Sequence, residues 1–154
     1  MSKVEDKLKE MGLTLPSAPT PGGNYVPAVR TGNLVFLSGV VPRRPDGNLF
    51  TGKVGKDLTI EEGYEAAKIC ALNLLANLKN EIGDLDKLVQ VVKLLGMVIA
   101  DLDFTQPPAV INGCSDLLVE LFGDRGKHAR SAVGMATLPA GVAVEIEMIA
   151  EVSA

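Results

Sequence analysis

Arg130 stands in an unusual position for a charged residue. It follows the polar loop 123–128 and opens an apolar segment, Ser131-Ala-Val-Gly. Arginine is rarely buried without a partner, so its guanidinium either reaches solvent or an acidic neighbour at the strand end, or it serves a ligand. In the second case its parallel N–H donors would clamp a carboxylate or a phosphate. The residue types alone leave both alternatives open.

Two glutamates, Glu145 and Glu147, lie two positions apart in a segment that alternates apolar and polar side chains. This alternation places both carboxylates on one face of a strand, opposite Val144, Ile146 and Met148. On a solvated face such a pair is ordinary. Under the cover of another subunit, a carboxylate needs a hydrogen-bonding partner or a proton, and it could act as a general base for a water molecule.

Three further side chains could contribute polar groups to a site. His128 is the only histidine in the sequence. Its pKa lies near neutrality, but a lone histidine in a Gly/Lys loop is typical of a solvated surface. Tyr25 and Ser38, near the ends of a predicted hairpin, could donate hydrogen bonds to a ligand, although a strand hydroxyl more often satisfies nearby backbone.

Scarcity of other reactive residues excludes several kinds of chemistry. One histidine and two cysteines, Cys70 and Cys114, do not form the ligand spacings of a zinc site, so we expect no bound metal. Both cysteines have apolar neighbours in predicted helices, which favours buried, reduced thiols. The sequence also lacks the glycine-rich phosphate motifs and the serine hydrolase elbow. Any catalysis must therefore use carboxylates, Arg, Tyr, Ser or backbone groups.

Hydrophobic periodicity and turn residues define the elements that must position these side chains. Thr59 and Glu62 have the spacing of a capping box, and apolar residues recur at helical intervals over 60–82. A continuous apolar run over 88–100 predicts a central strand, and Pro107 begins a second long helix. The other predicted elements are a charged helix over 3–11, an arm over 13–24, a hairpin of 25–29 and 34–38, a brief strand near 52–54, and strands over 129–138 and 142–152.

This order of elements predicts an α+β fold, with a largely single sheet and two helices on one face. The other face would be open to water in a single chain. Because the predicted strand over 88–100 is apolar on both faces, that opening would expose it. We therefore expect a closed homo-oligomer in which the sheets face one another.

Three separated blocks in the C-terminal third resemble a known family. They are Ala129-Arg-Ser131, Leu138-Pro139 and Val144-Glu-Ile-Glu-Met-Ile-Ala150, and they are similar in type and spacing to the A-R-S, L-P and V-E-I-E-x-I-A blocks of the RidA family. This family is also called YjgF or L-PSP endoribonuclease-like. The segment over 32–39 is similar to the family's hairpin. The sequence resembles a divergent member in which residues 1–24 form a helix and arm before a RidA-like domain over 25–154.

The resemblance implies a chorismate-mutase-like mixed sheet of about six strands, and a homotrimer with ligand clefts between subunits. By position, Arg130 matches the arginine that holds the substrate carboxylate, and Glu145 matches the glutamate that helps to hold a water molecule. Around the cleft mouth, Val40, His128 and the residues after Asn112 depart from the family pattern. The expected cleft-lining residues are Tyr25, Ser38, Gly39 and Asn112, with the carbonyl of Ala132 as a backbone acceptor.

The implied activity is hydrolytic deamination of reactive 2-imino and enamine acids to 2-keto acids and ammonia, without a cofactor. An alternative is a non-catalytic trimer that binds small carboxylates or regulates a partner. Ribonuclease activity ranks last, because the net charge of -4 and the few aromatic residues disfavour nucleic acid. The longest apolar run is too short to span a bilayer, and residues 1–10 lack the apolar core of a secretion signal, so we expect a cytoplasmic protein without a membrane partner.

Overall fold

A computed structural model describes residues 2–154 and confirms the α+β fold, with one mixed sheet. The sheet has five strands rather than about six. The predicted brief strand near 52–54 forms only isolated bridges, because Gly52 and Gly55 have positive φ angles that interrupt an extended run. The strands are β1 (Ala28–Thr31), β2 (Leu34–Val40), β3 (Leu88–Ile99), β4 (Ala129–Met135) and β5 (Val144–Val152).

The strand order across the sheet is β1-β2-β5-β3-β4. All neighbours are antiparallel except β3 and β4, which run parallel because a helical crossover connects them. β1 begins later than predicted, since Pro27 has no N–H for the ladder. β4 ends earlier than predicted and β5 begins later, because the turn over Pro139–Gly141 lies between them.

In the described part of the chain, three α-helices accompany the sheet: α1 (Lys3–Glu10), α2 (Ile60–Ile82) and α3 (Pro107–Phe122). The predicted capping box is confirmed, because the Thr59 hydroxyl accepts from the Glu62 amide and the Glu62 carboxylate accepts from the Thr59 amide. α2 and α3 pack against each other and cover one face of the sheet, as predicted. This face, which we call the helix face, contains the main core.

The charged helix predicted over 3–11 is present as α1, and it is packed rather than free. Val4 and Leu8, four positions apart on α1, are buried in the core cluster. The Asp86 carboxylate accepts hydrogen bonds from the backbone amides of Lys3 and Val4 at 2.9 and 3.1 Å, which satisfies two free donors of the first turn. The first turn of α1 is thus fixed onto the turn that precedes β3.

Close contact between α2 and α3 depends on Gly113. A Cβ atom at this position would lie 2.0 Å from the Tyr64 carbonyl oxygen, which is far inside van der Waals contact. We expect Gly113→Ala to lower the free energy of unfolding by about 2 kcal/mol, because the overpacking exceeds the gain in helix propensity. Urea unfolding measures the change. Gly134→Ala is the control, because open space surrounds that position, and equal stability of the two variants would contradict the expectation.

The second face of the sheet, which we call the open face, is covered by no helix of residues 2–154. Its strands carry a band of apolar side chains interrupted by Lys93 and Glu147. Cross-strand neighbours such as Phe36 and Ile149, or Met97 and Val133, make this band continuous. Its exposed large members include Val29, Phe36, Val133 and Met135.

Candidate active site

A cleft of about 270 Å³ lies beside the last residues of β2, which extend past Ala28, the first residue of β1. It contains four of the predicted site residues, and we call it the Glu145 cleft. One wall is formed by the arm over 19–22, which sequence reasoning did not connect with the site. The lining residues are Pro19, Thr20, Pro21, Gly22, Tyr25, Pro27, Ser38, Gly39, Val40, Val41, Arg43, Asn73, Asn77, Pro139 and Glu145.

A β-bulge shapes the floor of the Glu145 cleft. Leu37 pairs with Met148 and Val40 pairs with Ile146, so Ser38 and Gly39 together oppose a single residue of β5. A Cβ atom on Gly39 would lie 2.7 Å from Glu145 Oε1. Glycine at this position therefore makes room for the carboxylate in the cleft.

Glu145 is half-buried, and its environment disfavours the charged form. Burial raises the pKa of the Glu145 carboxyl above its ordinary value, and the nearby Glu147 carboxylate raises it further. A base with a raised pKa binds a proton more strongly, which suits a group that must accept one from water. Glu147 itself is exposed on the same face.

The two predicted hydroxyl donors have different environments. Ser38 Oγ donates a hydrogen bond of 2.7 Å to the Val26 carbonyl oxygen, so its proton serves the backbone and its lone pairs remain for a ligand. The Tyr25 side chain is exposed at the mouth of the cleft. Of these two residues, Tyr25 is therefore the one placed to donate its hydroxyl proton to a ligand.

Two buried asparagines of α2, Asn73 and Asn77, form the inner end of the cleft and were missed by sequence reasoning. Asn73 Nδ2 donates to the carbonyl oxygens of Val41 and Arg43 and so holds the segment after β2. Asn77 is 4% exposed, and its Oδ1 has no partner among residues 2–154. Their i, i+4 spacing within an apolar helix was a detectable signal, because buried amides need partners.

Arg130 lies outside the Glu145 cleft, within a second group of polar side chains. Its Nη1 donates to Asn112 Oδ1 at 2.8 Å and to Ser115 Oγ at 3.1 Å. Arg130 is half-buried, and none of the described carboxylates lies within 4.0 Å of it. Among the described residues, neutral side chains of α3 rather than an acidic partner therefore hold Arg130.

His128 belongs to this second group and is not solvated as predicted. Its Nε2 lies 2.9 Å from Ser115 Oγ, and its Nδ1 lies 2.7 Å from the Gly126 carbonyl oxygen. Burial lowers the pKa of the His128 imidazole and the positive charge of Arg130 lowers it further, while the hydrogen bond to the Gly126 carbonyl opposes this shift. Asn112 and Ser115 are one helical turn apart on α3, a spacing that could have linked them before the fold was known. We call Asn112, Ser115, His128 and Arg130 the Arg130 cluster.

The side chains of Arg130 and Glu145 lie on opposite faces of the sheet within one chain. Arg130 pairs in parallel register with Leu94, whose side chain is buried under the helices. Glu145 pairs with Met97, three residues further along β3, whose side chain lies on the open face. Ala132 lies on β4 beside Arg130, and β4 is an edge strand. A single chain thus separates the predicted site residues into two groups.

The two thiols are placed as predicted. Cys70 and Cys114 are free and fully buried in α2 and α3. Burial raises the pKa of Cys114 to about 12 and raises that of Cys70 as well, so neither is an activated nucleophile. Between residues 2 and 154, no three His, Cys, Asp or Glu side chains are grouped so as to hold a metal ion. No helix in the same range is long and apolar enough to cross a membrane.

Comparison with known proteins identifies the family. The family described as "YjgF/chorismate_mutase-like, putative endoribonuclease" matches residues 5–152, so the chain belongs to it, as its resemblance to RidA proteins predicted. The protein TCP17 of Trypanosoma cruzi is 41% identical over 152 residues, which cover 98% of this chain and 95% of TCP17.

An enzyme and a solved structure are also similar to the chain. The 2-iminobutanoate/2-iminopropanoate deaminase of Escherichia coli (strain K12) is 32% identical over 136 residues, which cover 87% of this chain and 91% of the enzyme. The crystal structure of the protein Atu1372 from Agrobacterium tumefaciens, a protein of unknown function, has a TM-score of 0.91 and 43% identity. It covers 97% of this chain and 92% of that one.

Proposed function

We propose that this protein hydrolyses reactive 2-imino acids to 2-keto acids and ammonia in clefts between the subunits of a homotrimer. In each cleft, Arg130 of one subunit would hold the substrate carboxylate and Glu145 of the neighbour would hold the water. The carrying observation is that Arg130 is half-buried and has only neutral hydrogen-bond partners among the described residues. A guanidinium in that state is a strong site for a carboxylate.

The open face supports the trimer. A continuous apolar band on one side of a sheet is typical of a surface that another subunit covers. Lys93 and Glu147 give this band one charge of each sign, which suits pairing between copies of the same chain. Association through this face would bring the Glu145 side of one sheet towards the edge strand β4 of a neighbour. The Arg130 cluster of one chain and the Glu145 cleft of its neighbour would then form one site.

Hydrolysis of a C=N bond requires few protein groups. With the carboxylate fixed by Arg130, the imine carbon would face a water molecule bound to Glu145. The water oxygen bonds to that carbon while Glu145 takes a proton from it and the π electrons of the C=N bond move to nitrogen. Glu145 returns that proton to nitrogen, which gives a neutral carbinolamine. Glu145 then takes the proton of the new hydroxyl and passes it to nitrogen, so that the C–N bond breaks, ammonia leaves and the oxygen becomes the carbonyl of the 2-keto acid.

The E. coli relative named 2-iminobutanoate/2-iminopropanoate deaminase supports this substrate class. Ammonia release from enzymatically generated 2-aminoacrylate, measured beside a buffer control, tests the proposal. We expect release to be faster than in buffer alone. If the protein bound 2-oxobutanoate tightly but did not accelerate ammonia release, its function would be carboxylate binding without catalysis.

We expect Phe36→Glu to dissociate the trimer. Phe36 lies in the open-face band beside Ile149, and a carboxylate there would lose its hydration when the assembly covers this face. Sedimentation at micromolar concentration should give a trimer for the unmodified chain and smaller species for the variant. Glu61→Gln, on the exposed first turn of α2, is the control. A stable monomer of the unmodified chain would overturn the proposed assembly.

A further inference from the structure

We propose that Ser115 and His128 are positioning residues, which hold the Arg130 guanidinium so that one edge of it is free for a ligand carboxylate. This proposal rests on the carboxylate-binding role of Arg130 and adds to it the geometry of binding. Neither residue was among the predicted site residues.

The direction of each hydrogen bond in the Arg130 cluster follows from its partners. The Gly126 carbonyl can only accept, so His128 Nδ1 carries the proton in the 2.7 Å contact. Neutral imidazole has one N–H, which leaves Nε2 as an acceptor for the Ser115 hydroxyl at 2.9 Å. The Ser115 oxygen then offers its lone pairs to Arg130 Nη1 at 3.1 Å. The chain of bonds therefore fixes Ser115 as an acceptor toward Arg130.

The neutral state of His128 that this chain requires agrees with its surroundings. The ring is half-buried, and burial lowers its pKa. The Arg130 cation is the charged group that acts on it, and that charge also favours the neutral ring.

The consequence concerns which N–H groups of Arg130 remain free. Nη1 carries two protons, and Asn112 and Ser115 accept one each. Within residues 2–154, the hydrogen bonds of Arg130 all run through Nη1. The Nε–H and one Nη2–H lie parallel on the other edge of the guanidinium, which matches the two oxygens of a carboxylate. The cluster thus selects a ligand that presents a full carboxylate side-on, rather than a carboxamide.

Ligand affinities of Ser115→Ala and His128→Ala test this proposal. We expect Ser115→Ala to raise the Kd for 2-oxobutanoate about tenfold, because Nη1 loses one anchor. His128→Ala should raise it about threefold, because Ser115 stays but can rotate. The double variant should match Ser115→Ala, since the two residues act in series. Ser115→Thr keeps the hydroxyl and should restore most of the affinity.

A second ligand separates positioning from a general structural role. The neutral amide 2-oxobutanamide cannot form the paired contact, so its weaker affinity should not change in Ser115→Ala. Asp116→Ala, one residue along α3 and bonded to Tyr64 instead, is the matched control for both ligands. If Ser115→Ala weakened the binding of acid and amide equally, or left the affinity for the acid unchanged, the positioning role would be overturned. If the unmodified protein does not bind 2-oxobutanoate, it is the proposed function that fails.

Discussion

Arg130→Ala is expected to remove measurable binding of 2-keto acids. A bidentate contact between guanidinium and carboxylate in a partly covered cleft contributes on the order of 2 to 5 kcal/mol, which corresponds to roughly a 30-fold to several-thousand-fold loss of affinity. Asn112 and Ser115 lose their shared donor in this variant, but both lie beside solvent. Folding should therefore persist. Calorimetric titration with 2-oxobutanoate measures the effect.

Arg30→Ala provides the matched control for this experiment. Arg30 is exposed on β1 at the other edge of the sheet, and its hydrogen bonds to the described residues go to backbone carbonyls. Its replacement should leave the Kd unchanged, and both variants should sediment as the unmodified protein does. Undiminished affinity for 2-oxobutanoate in Arg130→Ala would reject the carboxylate clamp.

Glu145→Gln is expected to separate binding from turnover. The amide keeps the shape of the side chain beside Gly39 but cannot take a proton from water. Imine hydrolysis should therefore fall by roughly 10²-fold or more, while the Kd for 2-oxobutanoate changes little. The ammonia assay and calorimetric titration, applied to the same preparation, measure the two quantities.

The pH dependence gives this prediction a second, independent measurement. Burial and the Glu147 carboxylate raise the pKa of Glu145, and the base works only when it is ionised. Activity should thus fall as pH decreases through that raised pKa, and this acid limb should vanish in Glu145→Gln. Glu147→Gln is the matched control: it keeps the base, lowers the pKa of Glu145, and moves the limb to lower pH. If Glu145→Gln hydrolysed imines at an unchanged rate, Glu145 would not be the base, and a carboxylate-binding protein would be the better description.

Local patterns in the sequence were sufficient for most of the fold. The capping box at Thr59 and the apolar stripe that follows it predicted α2 to within a residue, because both signals arise within one helix. The predicted strand near 52–54 failed, because two glycines with positive φ angles were not recognisable as such beforehand. The packing of α1 was also missed. It depends on Asp86, more than eighty residues away, and no periodicity reports such a contact.

The candidate site was predicted residue by residue and as a cleft between subunits, but the placement of Arg130 and Glu145 on opposite faces of the sheet was not predicted. Arg130 and Glu145 were recognised from their types and from the family resemblance. Their placement on opposite faces follows from strand register, which links β3 separately to β4 and to β5 and cannot be read from local alternation. His128 was misjudged for a similar reason. Its neighbour Ser115 lies on another element, and a loop sequence contains no sign of it.

The division of the site between faces has a genetic consequence. If every cleft takes its arginine from one chain and its glutamate from the next, the product of one allele completes the site of another. Two gene copies, one defective in Arg130 and the other in Glu145, would assemble mixed rings that each retain one intact cleft. Inheritance of such defects would depend on the pairing of alleles and not only on their number.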